Sequence, residues 1–126
     1  QIVTGRLQHR FAGWEHVSLH IHGVGHGLES LDVKRVKNAL FAAGAGSIGQ
    51  YQRCSWQVAG EGQFLPGAGS KPRIGAPGEL EKLVEYKVEM VCHPDYIEAA
   101  VVALKAAHPY EEPAWDVVAV VTDFRQ

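Results

Sequence analysis

Residues 16–22 alternate strictly: Val17, Leu19 and Ile21 face one way, and His16, Ser18, His20 and His22 face the other. A period of two marks a half-buried strand. The glycine-rich run 23–27 ends it. The period then changes. Val33, Val36, Leu40 and Phe41 fall at i, i+3, i+7 and i+8, which predicts a helix over about residues 31–43. Ser30 is its expected N-cap, and Gly44 and Gly46 supply the stop. A second strand is expected over about residues 50–58, with Cys54, Trp56 and Val58 on one face. Glycine and proline then crowd residues 59–80, which predicts a long loop. Alternation returns over about residues 83–92, where Val84, Tyr86, Val88, Met90 and Cys92 share a side.

A second helix follows, with Pro94 and Asp95 at its start and Asp95 and Glu98 as its capping box. Ile97, Ala100, Val101 and Leu104 form its core stripe, and Pro109 ends it. The last strand, about residues 114–122, is apolar on both faces. Residues 1–13 show no period and read as an N-terminal extension; residues 14–126 read as a single domain. The order β-α-β-β-α-β is the split βαβ, ferredoxin-like pattern of the α+β class. Right-handed crossovers place both helices on one face of a four-stranded antiparallel sheet. The first strand then lies between the third and the fourth. The other sheet face is left open, and apolar Val118 and Val120 or their alternates must point outward. Apolar surface there calls for cover by another copy of the chain.

Composition narrows the functions. The 126 residues suffice for one domain, and 46% hydrophobic with 21% charged residues is ordinary for a soluble globular protein. A net charge of −2 offers no basic field for nucleic acid. No apolar run is long enough to cross a bilayer. Cys54 and Cys92 make no disulfide framework and read as reduced, buried thiols of a cytoplasmic protein.

Several motifs occur in a fixed order. They are Ala39-Leu40-Phe41-Ala42-Ala43-Gly44-Ala45-Gly46, then Ile48-Gly49, Tyr51 and Cys54-Ser55-Trp56. Gly62-Gln63-Phe64 with Pro66, Pro72 with Ile74-Gly75, Gly78 with Glu81, and Val88-Glu89-Met90-Val91-Cys92 come next. His108-Pro109-Tyr110-Glu111-Glu112-Pro113-Ala114 closes the series. Over about residues 32–121 the chain resembles the PII-like domain inserted in bacterial Nif-three-like (YqfO-type) proteins. Freestanding copies occur in that family, and this chain looks like one. The corner from His108 to Pro113 also resembles that of CutA, the trimeric divalent-cation-tolerance protein. The resemblance implies a homotrimer of the PII/CutA type with a binding or regulatory role and no catalysis. The dinuclear metal core of full-length Nif-three-like proteins is not in this chain, so their GTP cyclohydrolase label is not carried over. Family members usually place the first strand only a few residues before the first helix, where this chain has Gly23–Gly27.

Three places hold candidate chemistry. His20 and His22, one residue apart on a strand, project together, and such a pair can share a divalent zinc or copper ion. Glu89 would lie beside them and complete the site. The resemblance to PII-like trimers, whose small ligands sit in clefts between subunits, implies that His108, Tyr110, Glu111 and Glu112 of the corner are ligand or interface candidates at such a cleft. The two prolines also make it a rigid turn that needs no ligand. In PII-like proteins the corresponding loop contacts partners or ligands, so the resemblance makes Gln63, Phe64 and Arg73, with Pro66, Lys71 and Ile74, the contact candidates; equally, the loop can pack as an ordered lid. No Gly-x-Ser-x-Gly, His-Glu-x-x-His, Cys-x-x-Cys or P-loop sequence is present. A metal-ion-binding protein is the first alternative, and a metal-dependent hydrolase acting at subunit clefts is the second.

Overall fold

The computed structural model describes residues 17–24, 31–72, 75–108 and 113–120. The elements run β1 (Val17–Val24), α1 (Leu31–Ala42), β2 (Trp56–Phe64), β3 (Glu81–Cys92), α2 (Pro94–Ala107) and β4 (Ala114–Ala119). The sheet order is β2-β3-β1-β4, and every pairing is antiparallel. This is the expected α+β arrangement, with β1 between β3 and β4.

The alternation in β1 sets the layers. Val17, Leu19 and Ile21 are fully buried, as is Val88 of β3. Against them pack Val36 and Leu40 of α1 and Ile97, Ala100, Val101 and Leu104 of α2, also fully buried. Each such Val, Leu or Ile side chain contributes about 1.5–3 kcal/mol relative to exposure. Arg35 ties the helices together: its Nε donates to the Ala107 carbonyl at 3.2 Å and its Nη2 to Asp32 at 2.6 Å. None of the described helices is long and apolar enough to cross a membrane.

Three local expectations are corrected. The second strand does not stop near residue 58: β2 pairs with β3 from Trp56 to Phe64. Gly60 and Gly62 are tolerated because β2 lies at a sheet edge, and the Glu85 side chain occupies the space a Cβ at Gly62 would need. Gln63 and Phe64 therefore end a strand and do not belong to the loop. Second, the N-cap of α2 is His93, two residues before Asp95: His93 Nδ1 accepts from the Asp95 backbone N–H at 3.1 Å. Pro94 fits the first helical position because it has no N–H to satisfy. Third, Cys54 precedes β2 and is only half-buried.

Candidate functional site

The alternation that buries Val17, Leu19 and Ile21 turns Ser18, His20 and His22 to the uncovered face of the sheet. Register fixes their neighbours. His20 stands opposite Glu89 on β3 and Asp116 on β4. The side chains follow the backbone: His20 Nδ1 lies 3.0 Å from Asp116 Oδ1 and its Nε2 lies 3.4 Å from Glu89 Oε1. Ser18 Oγ is 2.8 Å from the same Nε2. The neutral ring satisfies both sides when Nδ1–H donates to Asp116 and Nε2 accepts from the Ser18 hydroxyl; the charged ring donates to a carboxylate on either flank. Asp116 also reaches His22, whose Nε2 is 3.6 Å from Oδ2, and Lys87 Nζ stands 3.8 Å from Glu89 Oε2. The result is a ladder of histidine and lysine nitrogens alternating with carboxylates across three strands.

The structure thus joins His20 to Glu89 as the sequence implied, and it brings His22 in through Asp116. Sequence reasoning missed Asp116. Its signal was available: it is an acid within an otherwise apolar strand, on the side facing the histidines. No group of three or more His, Cys, Asp or Glu side chains among the described residues is arranged to hold a metal ion. The ladder closes instead as hydrogen bonds and ion pairs.

Apolar side chains flank the ladder. Trp56 and Val58 of β2 pair with Glu89 and Lys87 and share their face; they are 59% and 44% exposed. Val118 of β4, opposite Ser18, is 47% exposed. These are large hydrophobic groups on a face that no described element covers.

His108, where the corner begins, lies beside β1 at His22. His108 caps α2 and donates its backbone N–H to the Leu104 carbonyl at 2.8 Å. Its ring is buried, with Nε2 3.4 Å from the His22 carbonyl. Burial pushes the imidazole below its ordinary value. His108 is therefore a buried link from α2 to β1 within one chain. Tyr110, Glu111 and Glu112, and Arg73 of the loop, lie outside the described residues. Gln63 is exposed and Phe64 half-buried at the end of β2, away from His20 in register. Burial pushes the Cys92 thiol up to about 11, and the half-buried Cys54 Sγ rests 3.9 Å from the Gln52 carbonyl.

No family model matches the chain. A Mycobacterium bovis protein named GTP cyclohydrolase 1 type 2 homolog is 50% identical over 86 residues, covering 68% of this chain and 23% of its own length. The chain spans about a quarter of the length of the curated relatives it matches. Among solved structures, a Bacillus cereus protein related to NIF3 superposes with a TM-score of 0.70 at 29% identity, over 86% of this chain and 26% of that one. The periplasmic divalent cation tolerance protein CutA from Archaeoglobus fulgidus gives 0.60 at 15% identity, over 87% and 88%. The second likeness is one of fold alone.

Proposed function

We propose, for a chain that belongs to the Nif-three-like family as its PII/CutA-like domain, that it works as a non-catalytic, self-assembling binding module. Three copies meet through their open sheet faces. The observation that carries this reading is the open face itself: Trp56, Val58 and Val118 are each more than two-fifths exposed on it, while two helices bury Val17, Leu19, Ile21 and Val88 at the middle of the opposite face. A second copy brings to that face the same apolar strips and the same ladder, so like surfaces can cover one another. The trimer implied by the resemblance to CutA supports the number of copies.

The metal-ion reading rests on one observation, the Asp116 carboxylate between His20 and His22. It ranks second because the ladder already satisfies those rings. Native mass spectrometry of protein purified without a polyhistidine tag tests both. A trimer without metal is the expected result. A monomer at every concentration overturns the assembly reading. Stoichiometric zinc or copper, lost in His20→Ala and His22→Ala, establishes the second.

A further inference from the structure

The connection from α1 to β2 is held rigidly and frames a cleft that the assembly reading does not use. Gly46 N–H donates to the Val91 carbonyl at 2.8 Å, and Cys54 N–H donates to the Gly46 carbonyl at 2.7 Å, so both ends of the loop are pinned beside the end of β3. Ile48 and Tyr51 exchange backbone hydrogen bonds of 2.9 and 2.8 Å, closing a tight turn at the tip. Between this loop and α1 lies a cleft of about 410 Å³, lined by Asn38 and Phe41 of the helix and Ala45, Ser47, Gln52 and Arg53 of the loop. That volume falls in the range of small-molecule sites.

Its chemistry is one-sided. Arg53 is the charged residue of the lining, and no acid accompanies it. Among the described residues, the side chains of Asn38, Ser47, Gln52 and Arg53 form no hydrogen bond or ion pair, so their donors and acceptors are uncommitted. Backbone conformation adds a second observation. Gly44, Gly46 and Gly49 take positive φ in this loop, and Arg53 does too, at 57°. Glycine adopts that region freely, whereas a full side chain there is strained, and such strain gathers at functional sites. Phe41 and Ala45 give the cleft an apolar wall. None of the lining residues lies on the open sheet face.

We propose that this cleft binds a small oxyanion-bearing molecule with a flat apolar body. Its phosphate or carboxylate pairs with the Arg53 guanidinium, whose planar fork matches two oxygens at once. Asn38, Ser47 and Gln52 hydrogen-bond the remaining polar atoms, and the apolar body lies along Phe41.

Amide-resolved NMR titration of the full chain tests this, with inorganic phosphate, phenyl phosphate and benzoate as probes and phenol as the neutral control. Phenyl phosphate and benzoate are expected to shift the amides of Ser47, Gln52 and Arg53, and phenol is not. Tighter binding of phenyl phosphate than benzoate assigns a phosphate ligand, and the reverse order assigns a carboxylate; either supports the site. Arg53→Gly adopts the same φ without strain and is expected to weaken binding by about ten-fold or more. Arg53→Asn, which also tolerates that region, is expected to do the same. Absence of localised shifts with every anion, or equal binding by both variants, overturns the proposal. The solution mass of the protein is read separately, so neither result depends on the assembly.

Discussion

Trp56→Ala separates a surface built for association from one that merely carries a large side chain. Trp56 begins the edge strand β2 and is 59% exposed in the single chain. A tryptophan presents up to about 250 Å², so roughly 150 Å² of it faces outward. At about 25 cal/mol per Å², full cover by a neighbouring copy is worth about 3–4 kcal/mol. Partial cover and the ordering of the side chain reduce that to about 2 kcal/mol per copy. A closed trimer loses this three times. The concentration at which it half-dissociates then rises by about a hundred-fold or more. Folding of the isolated chain changes little, because an already exposed side chain contributes within about 0.5 kcal/mol. Sedimentation or native mass spectrometry across a dilution series reads the first quantity, and urea denaturation at low concentration reads the second. An unchanged dissociation midpoint in the variant refutes the reasoning, as does a wild-type chain that is monomeric throughout.

Gly46→Ala is expected to destabilise the fold by about 1–3 kcal/mol, because φ is +88° and an added Cβ would sit 2.8 Å from the Phe41 ring and 3.1 Å from the Cys54 carbonyl. Gly49→Ala, with φ +56° but nothing within 4 Å, is the control and loses less by the same denaturation assay. Burial holds His108 below 6.5, against the opposing pull of its bond to the His22 carbonyl and of the Asp32 and Glu85 charges. The unfolded chain therefore takes up this proton first: the stabilisation is complete above about pH 6.5 and declines as pH falls below it. His108→Gln should flatten that part of the melting-temperature profile, and an unaltered slope would contradict the assignment. Alkylation followed by mass spectrometry at about pH 8 should modify Cys54 well before Cys92, since a thiol at about 11 is ionised there only to about one part in a thousand.

The core was legible because its residues obey two clean periods. Val17, Leu19 and Ile21 at spacing two, and Val33, Val36 and Leu40 at helical spacing, are all buried as their patterns require. What misled was composition where geometry decides. Gly60 and Gly62 read as loop, yet β2 pairs through both, since an edge strand has one partner and no need of side chains to fill a second interface. His93 was hidden as a cap because imidazole is an unusual acceptor there; the real signal was Pro94, which marks the first turn and so places the cap one residue earlier. The cleft beside Arg53 was invisible for another reason. It depends on the backbone turn at Gly46 and on the register of Ile48 with Tyr51, and neither has a period to read.

The open face gains meaning from how its two chemistries are placed. The ladder of His20, Glu89 and Asp116 spans β3, β1 and β4 across the middle, while Trp56 and Val58 occupy the β2 edge and Val118 the β4 edge. Covering the apolar edges is favourable in proportion to area and indifferent to register. Covering the ladder is the opposite: desolvating charges costs several kcal/mol unless each keeps its partner. His20 meets that condition within one chain, because carboxylates flank both ring nitrogens before any copy arrives. Asp116 meets it less fully: Oδ1 has His20 at 3.0 Å, but Oδ2 reaches His22 only at 3.6 Å and half of the side chain is exposed. A neighbouring copy must therefore leave that carboxylate wet or supply it a donor, and only some docking registers do so. If copies associate through this face, Trp56, Val58 and Val118 would drive association and Asp116 would select which association forms. Asp116→Ala should then loosen the choice of assembly state more than it weakens association, giving mixed masses where the parent gives one.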